Sequence, residues 1–417
     1  MTAGILFAWM LFAVVALFLL RLAADLLNLR ALGQPLPEEF RGHVDEEEYK
    51  RSQRYTRVRS RAGIIESSVS LLLFLGFWIG GGFAWLHGWS ESWGFGPLLT
   101  GLAVFALIGL AHWAISLPFD LYYTFVIEER FGFNRTTPGT YVVDQIKSLL
   151  LTVVLGGALA ALVLWILLSL PMAWLWAWIG VTLFSLVVTF IAPSWLLPLF
   201  NRFEPLADGE LKRTVEALAE RCGFPLSGVY VIDGSKRSTK ANAYFTGFGR
   251  NRRIALYDTL IERHSTGELE TVLAHEIGHF KKRHVAKQIA IGILSMGLMF
   301  FLLGLLLPAP ALYGAFGIEI NDAPPPLHFG LIFFFVFYMP LSRLLGIVSC
   351  WRSRVNEFEA DAYAAEVTGR PQDLASALLR LSVDSASNLT PHPLLVWLEY
   401  THPPTAKRLA ALRAMQA

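Results

Sequence analysis

Seven long apolar stretches constrain this 417-residue chain more than any other feature of its sequence. A helix that crosses the roughly 30 Å hydrocarbon core of a bilayer needs about 20 mostly apolar residues. Stretches of that length run over residues 4–27, 65–87, 97–119, 147–169, 172–196, 288–308 and 327–350. The first has neither a basic start nor a small-residue cleavage site, and it is too long for a secretory signal. The sequence therefore predicts an α-helical integral membrane protein with seven transmembrane helices.

The composition agrees with this class and excludes others. Apolar residues make up 54% of the chain and charged residues only 16%, against about 25% charged in an ordinary soluble domain. Lys and Arg number 35 and Asp and Glu 33, which leaves a net charge of +2. A nucleic-acid-binding protein would show a basic excess. The only cysteines, Cys222 and Cys350, cannot form a cysteine-based zinc site, and we expect no disulfide framework.

The positive charges predict the orientation, because cytoplasmic loops are enriched in Lys and Arg. Three long gaps contain neither residue and each covers two apolar stretches; they are bounded by Arg61 and Arg130, Lys147 and Arg202, and Lys287 and Arg343. We therefore expect the cytoplasmic side to hold residues 28–62, 120–146, 197–287 and the C-terminal tail. The outer side would hold the N-terminus and the loops near 88–96, 170–171 and 309–326.

The apolar stretches divide the chain into four parts. These are five transmembrane helices with their loops (1–196), a cytoplasmic domain (197–287), the last two transmembrane helices (288–350) and C-terminal cytoplasmic helices (351–417). In the cytoplasmic domain an amphipathic helix is predicted over 211–219, and alternating apolar residues predict strands over 228–232, 242–245 and 253–257, with Gly247, Gly249 and Asn251 in a turn. This domain is therefore predicted to be mainly α-helical with a small β-sheet.

One motif carries chemistry: His275-Glu276-Ile277-Gly278-His279. Positions i and i+4 share a helix face, so the two imidazoles can chelate one zinc ion. The glutamate beside the first of them can act as general base toward the attacking water. Such a match arises by chance in roughly one chain of this size in a hundred, so two ordinary helix histidines are the alternative interpretation.

A catalytic zinc ion usually has three protein ligands, so a third must lie elsewhere. Glu357 and Asp361 are also spaced i and i+4. Glu357 can bind the metal while Asp361 accepts a hydrogen bond from a ligand imidazole, and Glu359 should point roughly the other way. The alternative is a solvated acidic helix face.

Topology places these two segments together. His279 and Glu357 each lie roughly 10–12 Å along a helix from the edge of the sixth or seventh apolar stretch, and these two stretches form an out-and-back hairpin. A third cluster contains His402, just before the helix-starting Pro403-Pro404, and Arg408. Both could stabilise a developing oxyanion, although a surface histidine at a helix start is an equally ordinary interpretation.

With these motifs on seven spans, the chain resembles the type I CAAX prenyl proteases, which are integral-membrane zinc metallopeptidases. Further segments match family signatures in order: Phe131–Asn134, Pro198–Phe203, Asn242–Phe248 and Asp258–Leu260. The resemblance implies a gluzincin-like cytoplasmic domain with one Zn²⁺ per chain, held by His275, His279 and Glu357. It also implies roles for other side chains: general base for Glu276, partner of a ligand histidine for Asp361, stabilisation of the tetrahedral intermediate for His402 and Arg408, and binding of the substrate backbone on an edge strand for Asn242 and Ala243.

We therefore expect a membrane-embedded zinc endopeptidase that removes the C-terminal tripeptide of prenylated CaaX proteins. It would act as a monomer on the cytoplasmic side, with a peptide or protein substrate and no nucleic-acid partner. Compact loops favour a bacterial plasma-membrane member, and a eukaryotic one would lie in the endoplasmic reticulum. Two alternatives stay open: a quality-control metallopeptidase with non-prenylated substrates, and a non-catalytic scaffold or transporter with a vestigial motif, which would have no need of Glu276.

Overall fold

The computed structural model describes residues 2–246, 252–320 and 324–415. Within these ranges seven helices are long and apolar enough to cross a membrane, in agreement with the seven predicted spans. The predicted turn residues Gly247, Gly249 and Asn251, and Phe248 of the third signature segment, lie outside the described residues.

The first two spans are α1 (Ala3–Ala31) and α2 (Glu46–Ile79), and α2 is followed by the short α3 (Gly82–Glu91). The third span is α4 (Pro97–Tyr122) with a π-helical continuation, Tyr123–Glu128. The fourth comprises α5 (Pro138–Leu151), a π-helical turn (Thr152–Gly156) and α6 (Gly157–Ser169). The fifth is α7 (Ala173–Ile191), continued by a π-helical turn, Ala192–Leu196.

The C-terminal boundary predicted for the second span, residues 65–87, was wrong. Helix α2 stops at Ile79 and the chain turns before α3. Gly81 lies in the left-handed region at φ 76°, a conformation that glycine adopts without a Cβ clash and that ends helices. A run of apolar residues does not by itself show such a break.

The domain between the fifth and sixth spans is built on a mixed four-stranded sheet of order β1-β2-β4-β3. Its elements are β1 (Phe203–Pro205), α8 (Glu210–Arg221), β2 (Leu226–Ile232), β3 (Ala243–Thr246), β4 (Arg252–Tyr257), α9 (Asp258–Arg263) and α10 (Thr266–Lys281). Strands β2 and β4 are parallel, and β1 and β3 pair antiparallel on either side. The three predicted strands and the helix are confirmed. The three-residue β1 was not predicted, because it is too short to show alternation.

Helix α10, which carries the HExxH motif, starts at a capping box. The Ser265 hydroxyl accepts from the Glu268 amide, and the Glu268 carboxylate accepts from the Ser265 amide at 2.9 Å. Buried Leu269, Leu273 and Ile277 then pack this helix into the core of the same domain. The motif therefore sits on a helix whose start and rotation are both fixed.

The last two spans are α11 (His284–Leu306) and α13 (Leu327–Thr368), with the short α12 (Pro310–Gly314) between them. Helix α13 is continuous over 42 residues, so the predicted seventh span runs without a break into the segment that holds Glu357. It ends at Gly369, which is left-handed at φ 65°. The C-terminal helices follow: α14 (Pro371–Asp384), α15 (Pro393–Glu399) and α16 (Thr405–Ala414).

Candidate active site

Three side chains converge where α10 meets α13. His275 and His279 lie on α10 and Glu357 on α13, and one ligand atom from each lies within 4.8 Å of the others. The Nε2 atoms of the two histidines are 3.2 Å apart. Glu357 approaches His279 Nε2 at 3.2 Å and His275 Nε2 at 3.5 Å. The transmembrane hairpin thus closes the long sequence gap between the two motifs.

These separations fit a zinc ion. Zinc binds imidazole nitrogen and carboxylate oxygen at roughly 2.0–2.1 Å in tetrahedral geometry, which places neighbouring ligand atoms about 3.3–3.4 Å apart. Three distances between atoms of these side chains, 3.2, 3.2 and 3.5 Å, lie close to this value, and the two that involve Glu357 are measured to different oxygens, Oε1 for His279 and Oε2 for His275. Two histidines and one glutamate also form a donor set typical of catalytic zinc sites, which keep a fourth position for water or substrate.

Asp361 lies against His275. Its Oδ1 atom is 2.8 Å from His275 Nδ1, a carboxylate beside the ring nitrogen that is not directed at Glu357 and His279. Burial alone lowers the pKa of His275, but the interactions with Asp361 and Glu357 raise it to about 9. A metal ion entering this site therefore displaces a proton.

Glu276 lies half-buried between the two histidines in sequence. Burial raises the pKa of its carboxyl group above the ordinary glutamate value, although the neighbouring histidines act in the opposite direction. Within the described ranges the carboxylate makes no hydrogen bond or ion pair. It is therefore free to take up a proton from a water molecule beside the three converging side chains.

His402 and Arg408 differ in their surroundings. The His402 side chain is 65% exposed, and its Nε2 lies 3.5 Å from Glu357 Oε1. The Arg408 guanidinium is buried, with Nε and Nη2 at 2.8 and 2.7 Å from the two Asp361 oxygens and Nη1 at 3.2 Å from Glu357 Oε2. His402 can meet a ligand, whereas Arg408 is already bound to two site carboxylates.

The segment before His402 is held in place by three arginines and a glutamate. Arg354 on α13 donates to the carbonyl oxygens of Val396 and Tyr400 at 2.9 and 2.7 Å, which satisfies the end of α15. Glu399 forms ion pairs at 2.6 Å with Arg21 of α1 and with Arg343 of α13. The C-terminal segment is thereby fixed to the first and last spans.

Asn242 and Ala243 lie at an edge of the sheet. Among the described strands β3 pairs only with β4, so its other side is open. The Asn242 carbonyl accepts from the Tyr257 amide at 3.0 Å, one residue before β3 begins at Ala243. This agrees with the expected edge strand, while the substrate-binding role of the two residues remains a prediction.

Sequence reasoning missed His284 and its contact with Glu359. His284 Nδ1 lies 3.0 Å from His279 Nδ1, and His284 Nε2 lies 2.9 Å from Glu359 Oε2. We expected Glu359 to point away from the site. It does lie outside the ligand group, but it reaches His279 through His284. The spacing of five residues from His279 to His284 was the available hint.

A cavity of about 950 Å³ lies between α11 and α13 and reaches from the site toward the membrane. Its walls at the site end include His284 and Asn356. Further along, the lining is a mixture of apolar and hydroxyl side chains, among them Ile291, Ser295, Met299, Tyr338, Ser342 and Leu345.

Comparison with known proteins identifies the family. Residues 25–202 match the family described as CAAX prenyl protease N-terminal, five membrane helices, and residues 205–416 match Peptidase family M48. The chain is 34% identical to CAAX prenyl protease 1 of Saccharomyces cerevisiae, over 90% of this chain and 88% of the relative. It is 33% identical to the human CAAX prenyl protease 1 homolog, over 91% and 89%.

A solved structure agrees over the whole fold. The crystal structure of Ste24p from S. mikatae matches with a TM-score of 0.92 and 31% identity, covering 99% of both chains. These relatives are eukaryotic, so they lend no support to the expected bacterial source, which remains a prediction. With matches to both family models and to relatives along almost its full length, this chain belongs to the CAAX prenyl protease 1 family of membrane-embedded zinc metallopeptidases.

Proposed function

We propose that this metallopeptidase holds one zinc ion through His275, His279 and Glu357 and removes the C-terminal tripeptide of prenylated CaaX proteins. The observation that carries the metal assignment is the convergence of one ligand atom from each of the three side chains within 4.8 Å of one another. The CaaX assignment is supported by the names of the relatives, which are CAAX prenyl proteases.

The chemistry needs one base and one bound metal. A zinc ion held by His275, His279 and Glu357 would polarise the scissile carbonyl and would lower the pKa of water toward about 7. Glu276 takes a proton from the attacking water and later gives it to the leaving amine. Its unpaired carboxylate and its raised pKa suit both steps, because a base of higher pKa holds the proton more firmly until the amine accepts it.

We assign different tasks to His402 and Arg408. His402 is exposed beside Glu357 and can donate a hydrogen bond to the oxyanion that develops on the scissile carbonyl. Arg408 has three nitrogens committed to Asp361 and Glu357, which favours a positioning role over the direct oxyanion contact that the resemblance implies. Its charge also offsets the repulsion between these two buried carboxylates.

The substrate would lie along β3. An extended peptide can add to the open side of this strand through main-chain hydrogen bonds, which require no particular side chain. Asn242 and Ala243 lie where β3 begins. The cavity between α11 and α13 is polar at the site end and contains apolar side chains further along, among them Ile291, Met299 and Leu345, and an isoprenyl chain attached to the peptide is chemically suited to that apolar part.

We also propose the orientation of the enzyme in its membrane, the identity of that membrane and the oligomeric state. The Lys and Arg distribution supports an active site on the cytoplasmic side, in the endoplasmic reticulum if the source is eukaryotic and in the plasma membrane if it is bacterial. We propose a monomer, because all the residues assigned to the site come from one chain.

The test compares two substrates on purified protein. We expect cleavage of a farnesylated CaaX peptide before its last three residues, and slower cleavage of the same peptide without the farnesyl group. The Glu276→Gln variant should bind zinc like the wild type and lose at least about 100-fold in turnover. Failure on the farnesylated peptide with continued cleavage of casein would favour a quality-control peptidase instead. Bound zinc without any peptidase activity would favour a scaffold.

A further inference from the structure

We propose that His284 and Glu359 form a positioning chain that fixes the proton on His279 and so aims its Nε2 atom at the metal. This inference rests on the proposed metal site and concerns residues outside the ligand set. His284 is the first residue of α11, and Glu359 lies on α13 two residues beyond Glu357.

The geometry links three side chains in series. His279 Nδ1 and His284 Nδ1 are 3.0 Å apart, and His284 Nε2 lies 2.9 Å from Glu359 Oε2. The His284 side chain is only 3% exposed, whereas Glu359 is 41% exposed. The chain of contacts therefore runs from the metal site through a buried imidazole to a carboxylate near solvent.

The hydrogen positions follow from what each group can do. A carboxylate only accepts, so His284 donates Nε2–H to Glu359. A neutral His284 then presents an Nδ1 lone pair, and His279 must donate its own Nδ1–H to it. This tautomer leaves the His279 Nε2 lone pair on the side of His275 and Glu357, where the metal would bind.

Each of the two proposed ligand histidines is thus connected to a carboxylate. His275 contacts Asp361 directly, with Nδ1 and Oδ1 2.8 Å apart, while His279 reaches a carboxylate through a second imidazole. Both carboxylates belong to α13, and both histidines belong to α10. Partners of this kind typically change metal affinity by about 10- to 100-fold when removed.

A backbone feature places His284. Arg283, directly before it, is left-handed at φ 57°, which is unusual for a residue with a Cβ. The sharp turn between α10 and α11 brings the first residue of the sixth span back beside His279. The transmembrane hairpin therefore supplies both members of the positioning chain.

The test measures zinc affinity rather than turnover. Zinc-free wild type and variants are titrated with Zn²⁺ against a chelating dye, and the fold of each is checked by its melting temperature. We expect His284→Ala and Glu359→Ala each to weaken zinc binding by about 10- to 100-fold. The matched control is Glu366→Ala, an exposed glutamate on the same helix, which should bind zinc like the wild type.

A double variant distinguishes the loss of His279 positioning from a non-specific disturbance of the structure. Because the two residues act in series, Glu359→Ala should cause no further loss when added to His284→Ala. Equal zinc affinity of Glu359→Ala and Glu366→Ala would overturn the inference, as would losses that multiply in the double variant. If His284→Ala does not fold, the comparison of the two glutamate variants decides. A wild type that binds no zinc would overturn this inference and the proposed metal site together, whereas normal zinc binding with an unaffected Glu359→Ala overturns this inference alone.

Discussion

Arg408 and Asp361 form a bidentate ion pair, with Nε–Oδ2 and Nη2–Oδ1 distances of 2.8 and 2.7 Å, and both side chains are at least nine-tenths buried. Asp361 also contacts His275, and Arg408 also contacts Glu357. One guanidinium thus links Asp361, which contacts His275, to Glu357, the proposed third ligand.

Removing this guanidinium should damage the site through its geometry. We expect Arg408→Ala to destabilise the protein by about 3–5 kcal/mol, because two buried carboxylates lose their countercharge, and to weaken zinc binding. Thermal unfolding and zinc titration measure the two effects. Arg408→Lys keeps the positive charge but not the forked set of N–H donors. Its stability and zinc affinity should therefore lie between those of the wild type and those of Arg408→Ala. A variant with normal stability and zinc content that lost only turnover would instead indicate a direct oxyanion contact.

The close approach of α10 and α13 depends on Gly278. A Cβ placed there would lie 3.1 Å from the Cα of Ala360 and 3.2 Å from its carbonyl oxygen. Alanine gains about 1 kcal/mol in helix propensity, but overpacking against backbone costs about 1–3 kcal/mol. The second effect should prevail.

We therefore expect Gly278→Ala to lower the melting temperature and to reduce zinc affinity by pushing the histidines away from Glu357. Gly292→Ala on α11 is the control, since no described atom lies within 4 Å of a Cβ at that position. An unchanged zinc affinity in Gly278→Ala would show that the helix spacing has more tolerance than the structure indicates.

Glu268 links the start of α10 to α14. Its carboxylate accepts from the Ser265 amide at 2.9 Å and from the Ser376 hydroxyl at 2.6 Å, and Arg380 lies 3.5 Å away. Burial alone would raise the pKa of Glu268, but these donors and the charge of Arg380 hold it below the ordinary value of 4.5.

A lowered pKa in the folded state means that ionised Glu268 stabilises the fold at neutral pH. This contribution is complete above about pH 4.5 and is lost as the pH falls through the folded-state pKa. We expect Glu268→Gln to cost about 1–3 kcal/mol at pH 7 and the difference from wild type to shrink in acid. Unfolding measured between pH 3 and pH 8 checks this, with the exposed Glu262→Gln as control. A difference that did not change with pH would contradict the assignment.

Much of the architecture can be predicted from short-range patterns in the sequence. Apolar runs longer than a bilayer needs predict the spans, and the i, i+4 spacings of His275 and His279 and of Glu357 and Asp361 predict which side chains share a face. Because the sixth and seventh spans form a hairpin, these two faces had to meet on one side of the membrane.

Other features depend on tertiary packing and were not predictable in the same way. Glu359 does point away from the metal side of α13, but α11 packs there and brings His284 to it. The left-handed Arg283 that allows this contact has no local sequence signature. Arg408 could be placed near the site from sequence, yet only the packed structure gives its bonding to Asp361.

The zinc content of Glu357→Ala tests the central claim most directly. Purified wild type and variants would be measured by elemental analysis after dialysis against a weak chelator. We expect one zinc ion per chain in the wild type, in Glu276→Gln and in Glu366→Ala, and a large loss of zinc in Glu357→Ala. A folded Glu357→Ala protein that kept a full zinc ion would contradict joint binding by α10 and α13.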